Sequence, residues 1–370
     1  MEVLSISLGR NILKPGSRDR ERMQLYAKEL EAYHIIVLTR RVHGFMEEVH
    51  EGNLHVYPTH SRTRLHMLWD AFWIGRRIAR MKREQPLIIS AQDPLAIGWL
   101  SWLLVCASDA RLHIQVHGDY FSPQWVGHSL VRRFERFWAL RLLTCAPAIR
   151  VVSARIAQSL IARNISRERI TVLPIRPELE AFLAMGHMFR DEPPLTLLYI
   201  GRLAPEKDIP RIVRAFACIR AEYPNIHLRI VGEGSEKGKI ESCIRVTGVE
   251  QHVSLAPWTE DVPREMNRAD VLLVASEHEA YGLVLVEAMA VGLPIVTTDV
   301  GCVGEVFKDG VHGVVVRSAG DAAYAETLRT LLADADMRRA CGRRAKETAQ
   351  TLSETVTSSA YVRAWVTSLS

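Results

Sequence analysis

The chain has little of several things. Of its 370 residues only 7% are aromatic and six are cysteine. The cysteines, at positions 106, 145, 218, 243, 302 and 341, never stand as a CxxC pair. That argues against a zinc or disulfide framework, so reduced, mostly buried thiols are expected. No run of about 18 uncharged apolar residues occurs, so no membrane-spanning helix is expected. The opening MEVLSISLGRNILKPG holds only a short apolar run without basic residues before it, which reads as cytosolic. Low-complexity tracts, repeats of fixed period, a Walker A sequence and an HExxH cluster are all missing, and disorder is not expected.

What is present fits an ordinary globular protein, with 48% hydrophobic and 24% charged residues. At this length two domains, each able to bury a core, are the natural expectation. Charge divides unevenly between them. Residues 1–180 hold 26 Lys and Arg against 17 Asp and Glu, about +9, while the remainder is near −4. The basic half wants an anionic partner. Its positive charge gathers on two aromatic-rich helical stretches, HMLWDAFWIGRRIARMKRE (66–84) and SLVRRFERFWALRLL (129–143). In the second, Leu130, Phe134, Phe137, Trp138 and Arg141 follow helical spacing, with Arg132, Arg133 and Arg136 on another face. Two readings stand side by side: a helix lying on an anionic membrane surface, or an amphipathic helix whose apolar stripe faces its own core.

Short β-branched runs alternate with helical patterns in both halves. VLSISL, HIIVL, LHVYP, LIISA, LHIQV, IRVVS and ITVLP precede LTLLYIG, IHLRIVG, VSLA, DVLLVAS, PIVTT and GVVV. Such alternation predicts parallel sheets wrapped by helices, hence two doubly wound α/β domains. A first domain over 1–178, a linker over 179–194 and a second domain over 195–352 are expected. A C-terminal helix within 353–370 is expected to pack back on the first domain.

Ligands of open parallel sheets bind beyond the carboxyl ends of the strands. Three loops of the second half are therefore candidates. GRLAPEKD (201–208) places Gly201 beside Arg202 and Lys207, two cations able to converge on a diphosphate, although ordinary solvated loop residues look the same. GEGSEKGK (232–239) spaces its glycines one residue too widely for a dinucleotide fingerprint, and reads as a nucleotide-facing loop or a plain turn. SEHEAYGLVLVEAMAVGLP (276–294) predicts a loop and then an apolar helix bounded by Gly282 and Gly292. Glu287 on that helix must reach a polar pocket, and Glu279 on the loop can reach the same one. Free amides of Gly282 and Leu283 can bind an anion. Alternatively, Glu287 bonds neighbouring amides or an arginine, and Glu279 lies on the surface.

Together these residues resemble the retaining glycosyltransferases of glycosyltransferase family 4. The carrying pattern is S-x-x-E-x-[FY]-G-x4-E-A-M-A-x-G-x-P, with Glu279 and Glu287 in the E-x7-E arrangement, alongside GRL-x-PEKD and APWTEDVPREMNRADVLLVAS. The resemblance implies a GT-B fold, two doubly wound Rossmann-like domains facing across a cleft where the chemistry would lie. It implies a nucleotide diphosphate sugar as donor, with Glu287 on the ribose hydroxyls and Glu279 on the sugar hydroxyls. Arg202, Lys207 and the amides of Gly282 and Leu283 would hold the diphosphate, with Tyr281 in the donor site. Gly16, followed by Ser17, resembles the family's first glycine loop, and His117 in QVHGDYF stands where a histidine often faces the donor sugar. Glu279, His117, Arg202 and Lys207 are thus the expected catalytic set. LPIRPEL replaces the family's usual P-N-G-V-D turn, and Gly301-Cys302 replaces a usual Gly-Gly before Glu305.

Neither a cofactor nor a metal is expected. The D-x-D triplet Asp334-Ala335-Asp336 follows no strand, and Asp there fits a helix cap better than a metal ligand. The expected partners are a nucleotide-sugar donor, an acceptor that is lipid-linked or membrane-proximal, and an anionic membrane surface met by 66–84 and 129–143, with no nucleic acid. A peripheral position at the inner face of the membrane follows. A nucleotide-sugar epimerase and a non-catalytic sugar-nucleotide binder on the same fold are the alternatives.

Overall fold

The computed structural model describes residues 1–81, 87–127, 129–175 and 178–367. It divides into two compact units, Met1–Pro174 with Thr357–Ser370, and Ile175–Val356. Residues 82–84 of the first basic stretch and 368–370 of the C-terminal segment lie outside the described residues.

The first unit is built on strands β1 (Glu2–Ser7), β2 (Ala32–Val37), β3 (Val49–Glu51), β4 (Leu54–Pro58), β5 (Ile88–Ala91), β6 (Arg111–Val116), β7 (Ala148–Val151) and β8 (Ile170–Val172). They form one sheet in the order β3-β4-β2-β1-β5-β6-β7-β8, parallel throughout except for β3 against β4. Burial on both faces explains the uninterrupted apolar runs; all four residues of β5, for example, are buried. The short β3 escaped the sequence reading because VHE carries no apolar alternation.

Its helices are α1 (Arg18–Ala27), α2 (Arg64–Ala79), α3 (Ala96–Cys106), α4 (Pro123–Val126), α5 (Leu130–Cys145) and α6 (Ala154–Ile161). A Ser or Thr side chain accepts a first-turn amide at the start of all but α3: Ser17, Thr63, Ser122, Ser129 and Ser153.

The second unit holds α7 (Glu180–Leu183), β9 (Leu195–Ile200), α8 (Ile209–Ile219), β10 (Ile226–Val231), α9 (Lys237–Thr247), β11 (Val253–Ala256), α10 (Val262–Arg268) and β12 (Val271–Val274). Then follow α11 (Leu283–Val291), β13 (Ile295–Thr298), β14 (Gly313–Val316), α12 (Asp321–Ala333) and α13 (Ala335–Thr355). Its sheet runs β11-β10-β9-β12-β13-β14, all parallel, over a core that includes Leu197, Phe216, Ile230, Leu273, Tyr324 and Leu328. A last helix, α14 (Ser358–Val366), belongs to the first unit. Trp365 Nε1 donates to Ser90 Oγ at 3.1 Å, and Tyr361 stacks on Tyr26 at 5.0 Å between ring centroids.

Two expectations need correction. The segment 179–194 does not form a free linker, because it packs within the second unit. Leu179 and Phe182 are buried, Lys346 Nζ donates to the Met185 carbonyl at 2.7 Å, and Arg190 pairs with Asp270 at 2.9 Å. Its Pro and charge content hid these few apolar anchors. The thiols are all free, but only Cys302 and Cys341 are buried, whereas Cys106, Cys145 and Cys218 are exposed. Cys106 and Cys145 are the last residues of α3 and α5, where the helix ends leave the core. Asp334 does cap a helix: its side chain accepts the Met337 amide at the start of α13.

Candidate active site

In the second unit the strand order reverses between β9 and β12, and the crevice at such a switch point is where parallel sheets bind ligands. The loops leaving these two strands are 201–208 and 275–282, the two that carry the charged candidates. They enclose a cavity of about 290 Å³ lined by Gly201, Lys207, Ser276, Glu279, Tyr281 and Gly282 among others.

Glycine lets these loops approach one another. A Cβ on Gly232 would lie 1.9 Å from the Gly201 carbonyl oxygen, and one on Gly234 would lie 2.2 Å from that of Leu203. Both glycines have φ of 155°, in the region that favours glycine. The 232–239 loop therefore buttresses the 201–208 loop from behind. Tyr199 braces it from the sheet, its phenol donating to the Arg202 carbonyl at 2.7 Å. Burial pushes that phenol's pKa up. Gly301 acts likewise on the other side: its Cβ would lie 2.4 Å from the Tyr281 carbonyl, which accepts the Cys302 amide at 2.8 Å. The Gly301-Cys302 pair thus fixes the backbone at Tyr281, and burial pushes the Cys302 thiol up to about 12.

Lys207 and Glu279 are brought together. Lys207 Nζ donates to Glu279 Oε1 at 2.5 Å, and Ser276 Oγ donates to the same oxygen at 2.8 Å. The two side chains are only 16% and 15% exposed, so the pair lies between a surface pair worth ~0.5 kcal/mol and a buried one whose breaking costs ~3–5 kcal/mol. Glu279 is accordingly not a free surface residue. Arg202 is different. It is 77% exposed, pairs with Glu206 at 3.0 Å, and is not in the cavity wall. An exposed pair of that kind is worth under ~1 kcal/mol, so the guanidinium can leave Glu206 at little cost.

Helix α11 opens at Gly282, whose φ of 79° and ψ of 59° place it in the left-handed region, and closes at Gly292. No side chain caps its start and no acid lies in its first turn. Gly282, Leu283 and Val284 instead line the cavity, where first-turn amides and the helix dipole favour an anion. Glu287, one turn further in, is half-buried, and no hydrogen bond or ion pair to it is present among the described residues. Desolvation alone pushes its carboxyl up to about 7. The alternative that it bonds neighbouring amides or an arginine is not what the structure shows. Glu287 does not line the cavity that Glu279 enters.

Two candidates belong to the first unit. Gly16, with φ of 66°, sits just before the Ser17 cap of α1. His117 directly follows β6; its Nε2–H donates to Gln115 Oε1 at 3.0 Å, an oxygen that also accepts from the buried Arg150. Burial and that guanidinium push His117 down to about 3, so it is neutral near pH 7.

Sequence reasoning did not name Tyr199 or Ser276 as site residues. Ser276 had a signal, its place three residues before Glu279. Tyr199 had none, because it reads as one more apolar residue of a buried strand. Among the described residues no group of three or more His, Cys, Asp or Glu side chains could hold a metal ion, and no helix is long and apolar enough to cross a membrane.

With this geometry in hand, comparison with known proteins identifies both halves. Residues 21–176 match the model of a glycosyl transferase 4-like domain, and residues 187–348 that of glycosyl transferases group 1. The chain is 32% identical over 151 residues to N-acetyl-alpha-D-glucosaminyl L-malate synthase of Bacillus anthracis, a match covering 41% of this chain and 39% of that protein. It spans less than half the length of the first curated relatives it matches. Sucrose-phosphate synthase of Thermosynechococcus elongatus superposes over 100% of both chains with a TM-score of 0.80 at 19% identity. HepE of Anabaena in complex with UDP-glucose superposes with a TM-score of 0.72 at 16% identity, covering 98% of this chain and 100% of that one. Each Rossmann-like unit thus matches one glycosyltransferase domain model, and the chain has the GT-B fold.

Proposed function

We propose that the chain transfers a sugar from a nucleotide diphosphate sugar to an acceptor, with retention at the anomeric carbon and without a metal, as a family 4 type enzyme. The observation that carries this is the Lys207–Glu279 pair at 2.5 Å beside the uncapped start of α11, inside the switch-point crevice. A donor whose diphosphate reaches the α11 amides would meet a cation and a carboxylate already positioned together beside it. Lys207, joined by Arg202, stabilises charge developing on the leaving diphosphate, a role for which fixed cations and dipoles suffice. Glu279 accepts from the sugar hydroxyls, and Glu287, whose carboxylate has no partner among the described residues, accepts from the ribose hydroxyls. Gly16 approaches the donor phosphates, and neutral His117, its Nε2–H engaged by Gln115, accepts a hydrogen bond from a donor-sugar hydroxyl through its other ring nitrogen. Anabaena HepE, of the same fold, is described bound to UDP-glucose, which supports a sugar nucleotide as donor.

The acceptor is lipid-linked or membrane-proximal in this reading, with the protein peripheral at the inner membrane face and its product a cell-surface polysaccharide or glycoconjugate. Support comes from the outward faces of α2 and α5. Leu65, Trp69 and Trp73 on the first, and Leu130, Phe134, Phe137 and Trp138 on the second, are all 40% or more exposed. The apolar stripe of α5 therefore does not face its own core, which it meets instead through Ala139, Leu142 and Leu143. Single-turnover assays with labelled donors test the transfer: product bearing the donor sugar in the same anomeric configuration supports it, and turnover of donor without any acceptor favours an epimerase. Flotation with anionic liposomes at low salt tests the surface, and absence of binding removes it.

A further inference from the structure

Three adjacent strands of the first unit, β5, β6 and β7, place polar side chains in the buried interior. The two-residue repeat of a strand puts His113 and Gln115 of β6 on one face, with His117 next in line just past its end. In the sheet register Ser90 of β5 lies opposite His113, and Arg150 of β7 lies opposite Gln115. Ser90, His113, Gln115 and Arg150 are all at most 4% exposed. Arg150 has no carboxylate partner among the described residues; its hydrogen bonds go to carbonyls, the Tyr361 phenol and the Gln115 amide. A buried guanidinium without a counter-ion is a poor device for stability alone, which directs attention to what it does to its neighbours.

Donor and acceptor roles in this set follow from one another. A guanidinium only donates, so the Gln115 atom facing Arg150 Nη1 at 2.5 Å is the amide oxygen. The amide nitrogen is thereby turned to Ser90 Oγ, to which it donates at 3.0 Å. Trp365 Nε1 of α14 donates to the same Oγ at 3.1 Å, so both of its lone pairs are taken and its own hydrogen goes to His113 Nδ1 at 2.9 Å. Turning the amide over would set its nitrogen against the guanidinium, donor against donor. The second lone pair of Gln115 Oε1 faces His117 Nε2 at 3.0 Å and admits only an N–H there. Burial and the Arg150 charge, with lesser contributions from His113 and Arg22, push His117 down to about 3, so at pH 7 the ring has one proton and it resides on Nε2. Nδ1 is left as a lone pair. It bonds no described residue, and it is not sealed from solvent.

We propose that Gln115 is a positioning residue: gripped by Arg150, it fixes His117 as a hydrogen-bond acceptor toward a sugar hydroxyl, so that the site selects a sugar bearing that hydroxyl over one in which it is absent. The proposal deepens the transferase reading and rests on it for the word sugar, but the state of the His117 ring is measured without ligand, so each can fail alone.

The test is nitrogen-15 NMR of the full chain labelled at its histidine imidazoles, with His117→Gln assigning the signals. Wild type at pH 7 should show His117 protonated at Nε2 and bare at Nδ1. Gln115→Met, which keeps the length of the side chain and removes both polar ends, should release the ring, so that an Nδ1-protonated population appears. Gln115→Glu, whose carboxylate still accepts from both Arg150 and His117, should restore Nε2–H. Thermal-shift titrations carry the same variants to the ligand, with UDP-glucose, UDP-N-acetylglucosamine, GDP-mannose and ADP-glucose each set against its nucleoside diphosphate. For the sugar nucleotide that wild type binds, Gln115→Met should lower affinity about tenfold, the worth of one oriented hydrogen bond, and leave the matching nucleoside diphosphate unchanged. Nδ1–H in wild-type His117, or an unchanged Nε2–H ring in folded Gln115→Met, would overturn the proposal. So would equal losses for sugar nucleotide and nucleoside diphosphate, the mark of a purely structural role. If Gln115→Met does not fold, the wild-type ring and Gln115→Glu decide. If wild type binds none of the sugar nucleotides, the transferase reading fails while the ring measurement still decides the role of Gln115.

Discussion

The two units share a plan and differ in what they put at the same place. Each is a mainly parallel sheet whose strand order reverses once, and each has an opening beside that reversal. In the second unit the opening is smaller and holds an ion pair, with Lys207 and Ser276 converging on one carboxylate oxygen of Glu279. In the first it is more than twice the volume and lined by leucines and tryptophans. Helix starts differ in the same sense. Most helices of the first unit are closed by Ser or Thr, whereas α11 begins at a bare glycine with its amides toward the cavity. Topology therefore selects where a ligand goes, and side chains select which kind.

Polar groups are also distributed differently. The first unit buries a connected set beneath its sheet: Arg150 donates to the Leu173 carbonyl at 3.1 Å, the Pro174 carbonyl at 2.9 Å and Tyr361 Oη at 3.1 Å. It also stacks on the Tyr361 ring at 4.4 Å. This set holds α14 in place. Arg150→Met should remove these hydrogen bonds and destabilise the first unit by roughly 1–3 kcal/mol for each buried acceptor left without a donor. Denaturant unfolding followed by tryptophan fluorescence reports mainly on that unit, which holds every tryptophan except Trp258. Midpoints unchanged by the substitution would mean α14 is anchored by its apolar contacts alone.

Smaller effects are expected in the crevice of the second unit. Glu279→Ala should slow transfer by about 10²–10³-fold, in the range seen when one positioned polar group is lost, with donor affinity changed far less. Equal losses in both quantities would return Glu279 to a structural brace for Lys207. Glu287→Gln should weaken donor binding about tenfold or more, as when a hydrogen bond to a charged group is lost.

The same residue has a pH signature. Its carboxyl is raised to about 7 from an ordinary 4.5, so between those values the unfolded chain has released a proton that the folded chain keeps. Stability from this group thus falls as pH rises from about 4.5 to 7, and donor affinity should rise over the upper part of that window as the carboxylate forms. Melting temperatures of wild type and Glu287→Gln at pH 5 and pH 8 check this: the variant should gain on wild type at the higher pH. Smallest of all, Arg202→Ala should change stability by less than ~1 kcal/mol, because its pair with Glu206 is exposed. Its effect belongs to donor affinity, and a large loss of stability would contradict its solvent-facing position.

Much of the second unit was legible in its sequence. Glu279, Gly282 and Glu287 lie on one continuous loop and helix, so spacing along the chain reports spacing in the fold. Strand identity was equally visible, since both-face burial writes itself as apolar runs. The first unit's cavity was not legible, because Leu8, Leu38, Met67, Trp99 and Trp138 come from separate elements and meet only after folding. Nor could spacing decide which way α5 faces; that follows from which of its residues α3 and the sheet cover. The packed segment 179–194 escaped for the same reason, its anchors being single residues.

The central claim is that the crevice beside β9 and β12 holds a nucleotide diphosphate sugar between Lys207, Glu279 and the start of α11. Thermal-shift titration of the full chain against UDP-, GDP- and ADP-sugars tests it most directly, since a ligand that binds only the folded state raises its stability by mass action. At least one sugar nucleotide should raise the melting temperature in proportion to the logarithm of its concentration, and Glu287→Gln should shrink that rise. No shift with any of them at millimolar concentration, in a chain that is folded, would contradict the account.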